Sequence, residues 1–156
     1  MEFESLNLVE RQKINSDLNT TSTRYCRLHR LENCLKKLSI IKTFKDNLQS
    51  WVNDEKQNHP ENNQNINTAQ QRILKAFETE ATLLDLSDLN LYSLPYCIGQ
   101  LSALTELNVY NNQLVSLPES IRQLSALTKL YVFDNKLTSL TESIGDLTNL
   151  TSLYVE

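Results

Sequence analysis

Residues 104–114 read Leu104-Thr-Glu-Leu107-Asn-Val109-Tyr-Asn-Asn112-Gln-Leu114, and residues 127–137 read Leu127-Thr-Lys-Leu130-Tyr-Val132-Phe-Asp-Asn135-Lys-Leu137. Each apolar position of the first returns in the second at an offset of 23 residues, and the offset carries on to Leu150. Leu107 and Val109 are two apart, so on a strand they share one face and can be buried together. Asn112 and Asn135 stand where the chain must turn out of that strand. A buried amide there can satisfy backbone groups of its own turn and the neighbouring one, stacking as a ladder. Next comes Leu117-Pro118-Glu119-Ser120-Ile121-Arg122-Gln123-Leu124, in which Leu117, Ile121 and Leu124 keep a helical spacing. It returns as Leu94-Pro95 to Ile98 and Leu101, and as Leu140-Thr141 to Ile144 and Leu147, where Thr141 replaces proline.

The motif L-x-x-L-x-L-x-x-N-x-L, at a period inside the range of roughly 20–29 residues, resembles a leucine-rich repeat. The resemblance covers the second half of the chain, from Thr68 to Glu156. Its opening, Gln71-Arg72-Ile73-Leu74-Lys75-Ala76 followed by Leu84-Asp85-Leu86-Ser87-Asp88-Leu89-Asn90-Leu91-Tyr92-Ser93-Leu94-Pro95, is similar to the start of bacterial leucine-rich repeat proteins. These include effectors that pathogens inject into host cells and the repeat domains of Roc-type GTPase proteins. The resemblance implies an α/β repeat solenoid with a helical N-terminal cap. It says little about activity, because many unrelated proteins use this scaffold for recognition.

The chain has 156 residues and 18.0 kDa, enough for one domain or a small domain with an appendage. An apolar fraction of 40% with 7% aromatics suits a leucine-rich core, and a formal charge of −4 argues against a general nucleic-acid binder. The charge is unevenly placed. From Arg24 to Lys45 the cations Arg24, Arg27, Arg30, Lys36, Lys37, Lys42 and Lys45 face only Glu32, whereas beyond Ala81 acids outnumber Arg122, Lys129 and Lys136.

Cys26, Cys34 and Cys97 are an odd, scattered set without metal spacing, which fits a reducing, cytoplasmic compartment. His29, three residues after Cys26, and the isolated His59 do not complete a ligand set, so neither metal nor cofactor is expected. Met1-Glu-Phe-Glu-Ser has no basic segment followed by an apolar one, so no signal peptide is expected, and no apolar run reaches membrane-spanning length. Delivery into a host cell would then need another route. The sequons at Asn19 and Asn149 are expected to be idle.

In chain order, residues 1–52 read as an α-helical segment. Phe3, Leu6, Leu8, Val9 and Ile14 give a loose helical pattern, and Thr20 to Thr23 supply capping residues. Leu28, Leu31, Leu35, Leu38, Ile41, Phe44, Leu48 and Trp51 form an apolar stripe on a long helix, read as part of a helical hairpin. The basic face Arg24–Lys45 is a solvated face or, as the minority alternative, attaches to anionic lipid or an acidic partner. Residues 53–67, amide-rich with Pro60, read as a polar linker. Residues 68–80 read as the capping helix, and 81–156 as three repeats with a partial fourth. In the first repeat Leu89 occupies the Asn slot.

Aligned copies put exposed strand residues into columns: Leu83, Glu106, Lys129, Ser152; Asp85, Asn108, Tyr131, Tyr154; Ser87, Tyr110, Phe133, Glu156; and Asp88, Asn111, Asp134. Tyr110, Tyr131, Phe133 and Tyr154 therefore gather on neighbouring strands roughly 4.8 Å apart, rimmed by Glu106, Asn108, Lys129, Asp134 and Lys136. An aromatic centre with a polar rim is the pattern of a protein-binding face, although strands also favour aromatics by propensity. Catalysis is not expected. The two glycines, Gly99 and Gly145, cannot build a phosphate loop, and neither histidine has a nucleophile in a suitable context. The reading is a non-catalytic interaction module, with the resemblance implying an effector that acts in host cells. The alternative is the recognition part of a larger ubiquitin ligase or Roc-type GTPase protein. Leu150, Leu153 and Val155 open a repeat that stops within its strand, which leaves truncation or self-association through that end as expectations.

Overall fold

The computed structural model describes Gln12 and residues 24–139 and 144–155. The early apolar pattern and the caps at Thr20 to Thr23, the Thr141 replacement, and Glu156 lie outside these residues. Two compact units are present, Met1–Thr43 and Phe44–Glu156. Helix α1, Arg24–Asn58, runs 35 residues without glycine or proline.

In the first unit, Leu31, Leu38 and Ile41 are half-buried, but Leu28 and Leu35 are 57% and 47% exposed, and Ile40 is exposed as well. The continuous buried stripe expected from the spacing is therefore corrected. Spacing decides which side chains share a helix face, whereas burial needs a facing element. Apart from Gln12, the described residues of this unit are those of the helix.

In the second unit the spacing does become burial. Phe44, Leu48, Trp51 and Val52 are buried, and Phe44 stacks on Phe77 with ring centroids 3.8 Å apart. Each such side chain removed from water contributes roughly 1.5–3 kcal/mol. The expected linker over 53–67 is absent. Helix α1 continues to Asn58, a 3-10 turn spans Pro60–Asn62, and α2 runs Asn63–Glu78, starting five residues ahead of the expected 68. Pro60 opens the turn, where its missing N–H costs nothing and its fixed φ helps. The amides of this stretch have particular partners. Asn62 donates to the carbonyls of Leu89 and Asn90 at 3.1 and 2.8 Å, and Asn65 donates to Asn62 Oδ1 at 2.9 Å. Ile66, Ala69, Ile73 and Ala76 form the buried face of α2. Composition alone missed this because the satisfying carbonyls lie on the first repeat, 27 and 28 residues away.

Four short parallel strands follow in the order β1 (Leu83–Asp85), β2 (Glu106–Asn108), β3 (Lys129–Tyr131) and β4 (Ser152–Tyr154). Leu83 pairs with Glu106, Glu106 with Lys129 and Lys129 with Ser152, each step one repeat along the sequence. Leu84, Leu107 and Leu130 point inward and are buried. Opposite the sheet, 3-10 turns at Tyr96–Gln100 and Glu119–Gln123 bury Ile98 and Ile121. The second unit is a repeat solenoid, with α2 packed against β1.

Two polar ladders lock successive turns. Asn112 donates to the carbonyls of Leu86, Val109 and Tyr110, and its Oδ1 accepts the Leu91 amide. Asn135 repeats this one turn on, with Val109, Val132 and Phe133 as acceptors and Leu114 as donor. The second ladder was not expected. The hydroxyls of Thr105, Thr128 and Thr151 donate to the carbonyls of Thr82, Thr105 and Thr128 in turn, at 2.9–3.0 Å. Its signal is in the sequence, as threonine recurring at the same register position.

Candidate protein-interaction face

Residues flanking the inward leucines project from the exposed face of the sheet, because successive strand side chains alternate. The pairing register places Asp85, Asn108, Tyr131 and Tyr154 in one row and Glu106 beside Lys129 in the next. Tyr131 and Tyr154 lie parallel with centroids 4.6 Å apart, and Tyr110 and Phe133 meet at 4.3 Å with a 31° tilt. The four expected aromatics thus form two ring pairs, one stacked and one tilted. Tyr110, Tyr131 and Phe133 are half-buried and Tyr154 is 47% exposed. Part of each ring surface is used by its stacking neighbour, and the rest faces solvent.

The rim is also placed. Lys129 Nζ lies 3.4 Å from Glu106 Oε2. That hydrogen bond, and then the carboxylate's charge, raise the lysine pKa. Asn108 is half-buried and uses its Oδ1 to accept the Tyr110 amide at 3.1 Å, so its role includes shaping the strand exit. Asp134 is exposed on the bend that follows β3. Lys136 lies beyond it on the outgoing turn, where its amide donates to the Leu114 carbonyl, so it flanks the strand rows from outside. Asp88, Asn111 and Asp134 have φ of 58°, 51° and 53°. That left-handed conformation is one that Asp and Asn tolerate better than other non-glycine residues.

A partly buried polar network between α1 and the first repeat escaped the sequence reading. Trp51 Nε1 donates to Ser93 Oγ at 2.9 Å, and Ser93 Oγ donates to Glu55 Oε1 at 2.6 Å. It ties α1 to the first repeat, and its members are about forty residues apart, at no motif spacing.

Cys34 and Cys97 are free thiols, and burial pushes Cys97 up to about 11. At neutral pH Cys97 is therefore a neutral thiol packed as a small hydrophobe. A maleimide at pH 7 is expected to label the half-buried Cys34 and leave Cys97 unmodified until denaturant is added. Mass mapping of labelled peptides reads this, and rapid native labelling of Cys97 would contradict it. His59 stacks on Tyr92 at 3.5 Å and lies 3.8 Å from Glu61. Among the described residues no cluster of His, Cys, Asp and Glu could hold a metal ion, and no helix is long and apolar enough to cross a membrane.

The family model of the leucine-rich repeat matches residues 103–124, which is one repeat's length. Among solved structures, a leucine-rich repeat protein of Leptospira interrogans is 46% identical with a TM-score of 0.46. The match covers 46% of this chain and 18% of that one, so the chain spans less than a fifth of that protein. No curated protein matches the chain significantly.

Proposed function

We propose that this chain, a leucine-rich repeat protein, binds a partner protein through the exposed sheet face centred on Tyr131 and Phe133. It acts by binding and not by catalysis. The observation that carries this reading is the two aromatic couples, one stacked and one tilted, in neighbouring rows, partly open to solvent and bordered by charged side chains. Large rings held by their neighbours lose little conformational entropy on binding, and such anchors dominate interface energetics. A protonated, buried Cys97 and a His59 occupied by Tyr92 fit a role without a nucleophile.

The test is the double variant Tyr131→Ala with Phe133→Ala. Both rings are half-buried and stand outside the leucine core, so the far-ultraviolet circular dichroism spectrum is expected to persist. Partner affinity is expected to fall by about a thousandfold, as for two anchors each worth about 2 kcal/mol. Undiminished affinity in a folded double variant removes the proposal. The setting we favour, an effector working inside a host cell, rests on the resemblance of residues 68–95 to the opening of such proteins. A reporter fused to the chain tests it: signal in the host cytosol supports delivery, and signal confined to the bacterium removes it.

A further inference from the structure

We propose that the segment held on this face is basic: an extended stretch of the partner whose arginine side chains stack on Tyr110 and Phe133 and reach the carboxylates of Asp88 and Asp134. This inference rests on the exposed sheet face being the docking surface, and it names the chemistry of what docks there.

Charge carries the first step. In the strand rows and the turn row beside them, the described carboxylates are Asp85, Asp88, Glu106 and Asp134, and the only described cation is Lys129. Lys129 is taken up by Glu106 at 3.4 Å. Asp85 spends Oδ1 on the backbone amide and hydroxyl of Ser87, at 3.0 and 2.7 Å. Asp88 accepts the Asn111 side-chain amide at 2.7 Å. No described cation comes within ion-pair distance of Asp88 or Asp134. Lys136 stands on the turn outside these rows. At the sheet edge Arg72 Nη1 donates to the Asp85 carbonyl at 2.9 Å, so the uncompensated charge is that of Asp88 and Asp134, and complementary charge is how interfaces select and orient partners.

Turn geometry does not account for that charge. The left-handed backbone at Asp88, Asn111 and Asp134 calls for a short side chain with an oxygen, and Asn111 meets the need while neutral. Two of the three positions carry a carboxylate that the turn does not require. Both are on the row next to Tyr110 and Phe133, and Phe133 immediately precedes Asp134. A half-exposed aromatic face attracts a cation through its quadrupole, and a neighbouring carboxylate accepts two parallel N–H bonds. Arginine satisfies both at once, since its planar guanidinium stacks and forks, whereas lysine offers a point charge. Asp88 and Asp134 lie two strand spacings apart, roughly 10 Å, which about three extended residues cover.

The experiment titrates the full chain, labelled for NMR, with four seven-residue peptides alternating glycine with arginine, lysine, glutamate or leucine. The expected result is saturable shifts at Tyr110, Phe133, Asp88 and Asp134 with the arginine peptide, weaker ones with lysine, and none with glutamate. Affinity should fall as salt rises. The double variant Asp88→Asn with Asp134→Asn keeps the turns and should lose about tenfold in affinity for the arginine peptide at low salt. Asp146→Asn, away from this face, should lose nothing. Equal shifts with the leucine or glutamate peptide, or binding untouched in the double Asn variant, overturn the basic-segment inference while leaving the face a docking surface. No shift with any peptide overturns it too, and the Tyr131 and Phe133 variant then decides the wider reading separately.

Discussion

Asn112→Asp is expected to destabilise the repeat unit by about 4 kcal/mol or more, a large share of the roughly 5–15 kcal/mol that holds a domain folded. Asn112 is 2% exposed. Its Nδ2 donates to Leu86, Val109 and Tyr110 at 2.9, 2.9 and 3.1 Å, while Oδ1 accepts from Leu91 at 2.9 Å. Aspartate keeps the acceptor and loses the donor. It then sets an anion against three carbonyl oxygens, with no cation among the described residues bonded to that site. Lost hydrogen bonds cost about 0.5–1.5 kcal/mol each, and a buried unpaired charge costs several more. Lowering the pH is expected to recover part of the loss, since burial raises the carboxyl's pKa and its stabilising neutral form is lost as pH rises. Asn135→Asp should cost less, because that amide is only half-buried and its charge would reach water. Urea unfolding followed by circular dichroism measures both. An Asn112→Asp protein within about 1 kcal/mol of wild type would mean the ladder is incidental.

What was legible in the sequence follows from periodicity. Leu104, Leu107, Val109 and Leu114 could be assigned to the interior because a repeat tests each position against its copies. The same register put Tyr131 beside Tyr154 and Tyr110 beside Phe133, as the ring geometry shows. Illegible parts depend on contacts made once. Asn62, in a stretch that reads as a linker, donates to carbonyls of the first repeat. Ser93 joins Trp51 and Glu55 across the same junction. Non-periodic polar contacts over long sequence separations leave no pattern to read. Leu89 in the Asn slot was the one available hint, because it left the first repeat without its own amide there. The exposure of Leu28 and Leu35 is the converse case, a sound spacing rule applied where the described chain offers no facing surface.

Gly99→Ala inverts an ordinary expectation. Gly99 has no positive φ and sits in the 3-10 turn Tyr96–Gln100. By backbone entropy alone, alanine there should stabilise the protein by about 0.4–1 kcal/mol. Packing opposes it. A Cβ on Gly99 would lie 2.3 Å from the Ser120 carbonyl oxygen, 2.8 Å from Ser120 Cβ and 2.9 Å from Gln123 Oε1. The Gln123 side chain can swing away, but Ser120 belongs to the next turn, is fully buried, and precedes the buried Ile121. Relief therefore requires two stacked turns to separate, on the side of the solenoid opposite the sheet. Overpacking against a buried backbone oxygen belongs at the upper end of about 1–3 kcal/mol, which outweighs the entropy gain, and the net loss is expected at about 2 kcal/mol. For a unit of this size that lowers Tm by roughly 10 °C. Arg122, at the equivalent position one repeat later, is exposed, so Arg122→Ala should change Tm by at most a few degrees. Thermal melts of the two variants side by side separate a close contact peculiar to Gly99 from a requirement of the repeat. A Gly99→Ala melt at or above wild type would show that the turns have room to part.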